Sequence, residues 1–564
     1  MSGINGFNWS DREFITKMNN CIKHRGPDSE EIFVDEYVSF GNVRITAIDS
    51  EKKQPKSNND MSIWISFDGK IYNSHLLREK FKNDNFSFDI KTDEELILFA
   101  YEKYGTEIFE LLNGEFAFCL YDNKKKCIFL IRDRMGIKPL YYYYKDNKFI
   151  FSSEIKTFHN ILNHSFRLDE NAILEYLFTR NISAESFFQD IKTIDPGYYI
   201  KFDLDNFKIS KLIYFDIYKV VSKNQFLINY KKTEKEIINE LDTLLNKVVK
   251  DQFLSDIPVG TICSGGVDSS LLTAIAKKYV NHLKIFNVKV DDVFLDESKY
   301  AKKVADHLGL HLIEEVLNKK KYNDLYHHCL YLSDLPFVHP NSVGIHLINK
   351  RAKKEGINII IAGEGADELF GGYEHYKYLY RRLFLTKTPL LNMLNSKLKN
   401  FFYFNEFTNY MLEDANYLFK HYKELSFNTV RRIAYQNFYE VLEFIEDNFE
   451  REMTAYILKD MKYYLPPTLR EAERMAMGAG VEIRMLYLDN RIIEFAANLP
   501  LQFKVNFFKT KYLLKKVAER YLPKDIIYRK KMGFGIPTEK WLGDENLDFK
   551  KVMYADWEKM FFSR

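Results

Sequence analysis

The sequence is poor in cysteine. Its five cysteines in 564 residues, Cys21, Cys119, Cys127, Cys263 and Cys329, are scattered, odd in number and never spaced as CxxC. That pattern argues against a disulfide framework or a zinc site and fits a reducing cytoplasm. An uninterrupted apolar run of about 18 residues is also missing, as is a basic segment leading into an apolar stretch near the start. Neither a membrane span nor export is therefore expected. Charge of one sign is not in excess: 82 Lys+Arg stand against 79 Asp+Glu, a formal net charge of +3. Bulk charge thus gives no argument for nucleic acid or a membrane as partner. There is no internal repeat, no Gly-Lys-Ser/Thr phosphate loop and no dinucleotide fingerprint.

What is present is an ordinary globular composition, 46% hydrophobic and 29% charged, in a chain long enough for two to four domains. Residues 1–210 carry short strand patterns separated by turns ("MSIWISFDG", "EFAFCLYDNKKKCIFLIRD", "PLYYYYKDNKFIFSSE"), with "DEELILFAYEKYG" as a helix between them. This predicts antiparallel hairpins in an α+β domain. A polar, lysine-rich passage at 218–235 is the candidate linker. From 236 to 564 the texture changes to strand–helix alternation ("VGTIC" then "SLLTAIAKKY", "LKIFNVKV" then "ESKYAKKVADHLG", "INIIIAG"). A parallel α/β sheet follows from that order, with ligands beyond the carboxyl ends of its strands. After about 375 the pattern is mainly helical.

The sharpest chemical signal is "SGGVDSS" at 264–270, between an apolar strand and a helix. Two glycines allow a tight turn whose amides, with the helix N-terminus, can surround a phosphate or pyrophosphate, while Asp268 could hold the accompanying magnesium. A second loop, "AGEGADELFGGY" at 362–373, follows another strand. Sheet topology should bring it to the same edge, where Asp367 could complete the metal site and Glu364 could face a reacting carboxylate; an acidic glycine loop is otherwise often a solvated turn. The opening "MSGINGF" would leave a free amino group beside the Ser2 hydroxyl after methionine removal, the arrangement of an N-terminal nucleophile hydrolase. By itself it reads as a plain start followed by a small residue.

These two loops, with "FLDESKYAKKVADHLG", "GVEIRMLYLD" and "KKMGFGIP", resemble the glutamine-dependent asparagine synthetase family. The N-terminal half resembles that family's glutaminase domain through "HRGPD", "VRITAID", "IYN", "TDEE", "NGEFAFCLYD" and "RDRMGIKPLYY". The resemblance implies an N-terminal nucleophile hydrolase-like sandwich followed by an ATP-pyrophosphatase domain. It implies adenylation of a carboxylate (aspartate or a related acid) by ATP with Mg2+, then displacement of AMP by an amine. By motif position Ser264, Gly265, Gly266, Asp268 and Ser269 would hold the pyrophosphate end, and Asp268 and Asp367 the metal. Ile262, Val288, Ala362 and Gly363 would line the nucleotide pocket. Lys531 would stabilise the adenylation transition state, Lys530 would face solvent, and Glu364 would orient the amine or accept its proton. Glu482, Arg484 and Asp489 match the family pattern, whereas Glu473 replaces the usual aspartate and Leu486 the usual proline.

The N-terminal site departs further. The family's catalytic cysteine is Ser2 here, and its "NGEIYN" is "DGKIYN", so that Asp68 replaces an oxyanion-donating asparagine and Lys70 a glutamate that helps bind the glutamine amine. Asp68 precedes Gly69, and Arg44 and Asp93 retain the positions for the glutamine carboxylate and amine. An ionised carboxylate cannot donate to an oxyanion, and Lys70 would repel an ammonium. The expectation is a retired glutaminase domain on an amide-forming synthetase. Its nitrogen would come from ammonia, a separate ammonia source or an amine substrate. Other readings stay open: a cyclase like the β-lactam synthetases or an amide ligase of specialised metabolism, an active glutamine-dependent asparagine synthetase, or a non-catalytic scaffold. Oligomeric state is unread.

Overall fold

Residues 2–45, 53–82, 90–162, 166–253, 258–386, 426–542 and 548–562 are described by the computed structural model. In the N-terminal half, runs of apolar and β-branched residues separated by turns pair into two six-stranded sheets. The strands are β1 (Ser2–Phe7), β2 (Ser29–Val34), β3 (Ser39–Arg44), β4 (Lys56–Ser57), β5 (Ile63–Ile71), β6 (Gly114–Asp122), β7 (Cys127–Arg132), β8 (Tyr141–Lys145), β9 (Lys148–Ser152), β10 (Ile191–Thr193), β11 (Tyr198–Asp203) and β12 (Ile209–Ile213). One sheet runs β10-β8-β9-β1-β3-β2 and the other β12-β11-β7-β6-β5-β4, with antiparallel pairing throughout. Ile4, Phe40 and Phe151 of the first sheet bury against Ala117, Tyr121 and Leu130 of the second. That inner layer is the antiparallel sandwich expected from sequence.

The second sheet's outer face is covered by helix Asp93–Tyr104, whose Leu96 and Ile97 join Ile65 and Phe67 in a separate cluster. A reciprocal cap fixes its start: Glu95 N donates to Thr92 Oγ1 at 3.2 Å and Thr92 N donates to Glu95 Oε2 at 3.0 Å. Such a cap contributes about 1 kcal/mol. It also sets Asp93, the first helical residue, against β5.

The C-terminal half is built on β13 (Val259–Ile262), β14 (Leu283–Val290), β15 (Leu312–Leu317), β16 (Ile359–Ala362) and β17 (Glu482–Met485), all parallel in the order β15-β14-β13-β16-β17. Strand β17 was not expected. The motif "GVEIRMLYLD" lies in a region whose pattern is helical, and four residues are too few for strand periodicity to stand out. The 218–235 passage is not an open linker. It contains helix Lys223–Lys231, started by Ser222, and its Asn229 is buried and donates from Nδ2 to Asn498 O at 3.1 Å. In return the Asn498 side chain accepts from Ser222 N at 2.6 Å and donates to Val220 O at 2.9 Å. One contiguous apolar core extends from Phe7, Ile15 and Met18 to Trp557 and Phe561 of the last helix.

Candidate active site

Strand β13 ends at Ile262 and the chain turns through Cys263–Gly266 into helix Val267–Ala276. Gly265 has φ +71°, and a side chain there would meet the backbone of Tyr300 and Ala301 at 2.5–2.7 Å. No side chain caps this ten-residue helix, so its first amides stay available to an anion. The loop is shaped from within: Gly266 N donates to Ser264 Oγ and Ser264 N to Ser269 Oγ, each at 3.3 Å. From outside, Arg529 Nε donates to Gly265 O at 2.8 Å.

Strand β16 ends at Ala362, and the second loop turns through Gly363, Glu364 and Gly365 (φ +87°) into helix Ala366–Phe370. A Cβ on Gly363 would lie 3.2 Å from Ser269 N and 3.4 Å from Asp268 Cβ, so the two loops touch where glycine leaves room. The structure therefore brings Asp268, Glu364 and Asp367 to one edge of the sheet, adjacent to Ser264, Gly265, Gly266 and Ser269. Ile262 and Ala362 close the strands beneath them. Val288, buried on β14, belongs to the adjacent strand.

Three residues that sequence reasoning missed complete this edge. Lys511 Nζ pairs with Asp268 Oδ2 and, at 2.7 Å, with Asp367 Oδ1. Tyr487, just after β17, donates from its hydroxyl to Asp268 O at 3.1 Å. Tyr373 lies beneath the Lys531 ammonium, 5.1 Å from ring centroid to Nζ. Lys531 donates to Asp367 Oδ1 at 2.7 Å, and Lys530 is exposed. No motif marks Lys511, which sits among other lysines in "FKTKYLLKK".

The electrostatics separate the three carboxylates. Burial pushes Asp367 up, but Lys511 and then Lys531 outweigh it and hold the carboxyl down at about 2. Among the described residues Glu364 has no such partner: burial, then the neighbouring charges of Asp268 and Asp367, raise it above the ordinary value. Its Oε2 and Asp268 Oδ1 are covered yet accept no hydrogen bond from the described residues. Two unsatisfied carboxylate oxygens, a paired lysine and an uncapped helix start are the donor set and field that a magnesium-bound polyphosphate needs. The residues present fit that group.

Glu482, Arg484 and Asp489 are placed otherwise. Arg484 Nε donates to Glu482 Oε1 at 2.7 Å and Asp489 caps the following helix while binding Arg491. Leu486 is buried, and nothing in the structure explains its replacement of proline.

At the N-terminal site, β1 and β3 set Ser2 opposite Arg44. Ser2 N donates to Asp68 Oδ1 at 2.9 Å. Gly69 has φ +133° and lies flat against the backbone of Glu115 and Phe116. Lys70 Nζ donates to Asp93 Oδ2 at 2.7 Å, and the same carboxylate accepts from Ile71 N at 3.0 Å and Arg78 Nη2 at 3.4 Å. The Lys70 ammonium thus occupies the Asp93 carboxylate.

Comparison with known proteins matches residues 240–558 to the family described as asparagine synthase and residues 1–214 to the glutamine amidotransferase domain. Glutamine-hydrolysing asparagine synthetase 1 of Bacillus subtilis is 30% identical over 94% of this chain and 85% of its own length. Putative glutamine-hydrolysing asparagine synthetase 2 of Methanocaldococcus jannaschii is 33% identical over 71% of this chain and 81% of its own. Amidase chyE of Penicillium rubens is 26% identical over 93% of this chain and 84% of its own.

Proposed function

Because the chain belongs to the asparagine synthase family, an amide-forming, ATP-dependent ligase group that releases AMP, we propose that it joins a carboxylate to ammonia or an amine without hydrolysing glutamine itself. The observation that carries the ligase reading is the convergence of Asp268, Glu364, Asp367, Lys511 and Lys531 on one sheet edge above an uncapped helix start.

The residues divide the work. Amides of the 264–269 loop bind the leaving pyrophosphate. Asp268 and Asp367 hold Mg2+, which when bound neutralises charge on the phosphates. Lys531, and Lys511 once freed from the carboxylates, offset the negative charge that develops as pyrophosphate departs, an interaction made mainly in the transition state. Glu364, with its raised affinity for a proton and a buried oxygen left without a hydrogen bond among the described residues, accepts a proton from the incoming amine. The 1–210 and 236–564 halves would be the two domains.

Support for a silent glutaminase site comes from two contacts. The nitrogen that becomes the α-amino base once Met1 is removed is engaged by the Asp68 carboxylate, which stabilises its protonated form. Lys70 fills the amine receptor on Asp93. Nitrogen would then arrive as free ammonia or an amine substrate.

The test is magnesium-dependent exchange of labelled pyrophosphate into ATP across a panel of carboxylates, followed by product analysis. AMP and pyrophosphate are expected, and Asp268→Ala should remove nearly all exchange. Formation of ADP and phosphate would sink the assignment.

A further inference from the structure

Two departures that look unrelated in sequence, Asp68 and Glu473, meet on one guanidinium. Arg25, in the "HRGPD" stretch, donates from Nη2 to Asp68 Oδ2 at 3.1 Å and from Nη1 to Glu473 Oε2 at 3.2 Å. A second, short bond joins Nη2 to Glu473 Oε1. Arg25 and Asp68 belong to the N-terminal half, Glu473 to helix Leu465–Met477 of the C-terminal half, and all three side chains are 0% exposed.

The contact is the centre of a larger buried set. Lys138 Nζ lies 3.5 Å from Glu473, and Arg25 Nη1 reaches Glu154 at 3.2 Å. Lys156 pairs with Glu154 and with Asp334 at 2.8 Å, and Arg474 pairs with Asp334. Arg25, Lys138, Lys156 and Arg474 thus balance Asp68, Glu154, Asp334 and Glu473 across the boundary, with half-buried His24 alongside Glu154. Burial pushes the Glu473 carboxyl up, but Arg25 and then Lys138 hold it below the ordinary range, so it stays charged. Removing one member of such a set leaves a buried charge without its partner.

The helix carrying Glu473 serves the ligase site on another face. Glu471 accepts from Val338 N, from His339 N at 3.2 Å and from Ser342 Oγ at 2.8 Å. His339 in turn contacts the Tyr464 hydroxyl at 3.2 Å, and the Tyr464 ring packs edge-on against Tyr373, the ring beneath Lys531.

We propose that Asp68, acting through Arg25 and Glu473, is a positioning residue of the ligase half: the Asp68 carboxylate anchors helix Leu465–Met477 and, through Glu471, the 338–342 turn that is linked by Tyr464 and Tyr373 to Lys531. The proposal rests on the ligase reading for its kinetic readout only. Asparagine at position 68 would remove a charge from Arg25. Aspartate at 473 would withdraw the other carboxylate by one methylene, about 1.5 Å.

The test uses the full chain with Asp68→Asn and Glu473→Asp, singly and together. Each single change is expected to lower kcat for AMP formation at saturating ATP, carboxylate and free amine about tenfold, with KM for ATP within about twofold. Each should also speed hydrogen exchange at the Val338 and His339 amides. The double variant should be no worse than the worse single, because both break one link. Native kcat and exchange in Asp68→Asn, or penalties that multiply in the double variant, overturn the proposal. If Asp68→Asn does not accumulate as folded protein, Lys138→Met strips a different contact from Glu473 and is read the same way, with native behaviour again overturning it. The exchange measurement needs no turnover. A chain that made no AMP would therefore sink the ligase reading while the anchor still stood or fell on exchange.

Discussion

Lys511→Met separates the electrostatics of the ligase site from its chemistry. Lys511 is 3% exposed and bridges Asp268 and Asp367. The Asp367 carboxyl is lowered from 3.8 to about 2, burial opposing and Lys511 contributing most among the cations, ahead of Lys531. At about 1.36 kcal/mol per pH unit, that lowering corresponds to about 2.5 kcal/mol. The Lys531 side chain is 42% exposed and its share is screened by solvent. In metal-free buffer at pH 7, Lys511→Met should therefore cost about 2 kcal/mol, measured by urea unfolding of the full chain. A depressed carboxylate contributes stability that is complete above its unfolded value and lost as pH falls through its folded value. The gap between native and variant should accordingly close between pH 3.8 and about 2. Magnesium supplies the second half of the experiment. Two carboxylates that share a lysine can share a dication, so added Mg2+ should restore more stability to the variant than to the native chain. Equal responses to Mg2+, or a gap that persists unchanged to pH 2, would refute the reasoning.

The remaining predictions concern turnover. Lys531→Ala should slow AMP formation far more than it weakens ATP binding, because its charge is needed most as pyrophosphate departs; unchanged turnover at saturating ATP would remove that role. Native kcat should rise with pH as Glu364 loses its proton, with a midpoint above the ordinary 4.5 because burial raises it, and Glu364→Gln should flatten that limb of the pH–rate profile. Ser2→Cys alone should release no glutamate from glutamine, since Asp68 still stands where an oxyanion donor is required and such a donor is worth about 100- to 1000-fold. The triple change Ser2→Cys, Asp68→Asn, Lys70→Glu is the variant to compare; robust release by the native chain or by Ser2→Cys would return it to an ordinary glutamine-dependent synthetase.

The sequence made legible what local physics determines. Turn chemistry and apolar alternation located the hairpins of the N-terminal sandwich, and strand–glycine–helix order located the parallel sheet and both loops that carry Asp268 and Asp367. Short or irregular features were less legible. Strand β17 is four residues long, and the lysine-rich 218–235 passage looks solvated until its Asn229 is seen buried against the C-terminal half. Lys511 illustrates the deeper limit. It lies 243 positions from Asp268, and no spacing rule distinguishes one lysine among several when its partner is fixed only by the fold.

The same limit explains why Asp68 and Glu473 could be noticed one at a time yet not joined. Asp68 reads as the loss of an oxyanion donor, and Glu473 as the mark of an altered acceptor pocket or as drift. Arg25 and Glu473 are 448 positions apart, so only the folded chain reveals that both acids close on the same buried guanidinium. A buried carboxylate without a partner would cost several kcal/mol, whereas one that meets a buried arginine helps balance its charge. Asp68 therefore has a structural role that does not depend on glutamine chemistry: it is held by the boundary between the halves. A change of Asp68 to asparagine is then expected to be costly, although asparagine is the residue the resemblance leads one to expect there. It would leave Arg25 short of a partner at the same moment that it supplied the N-terminal site with a donor.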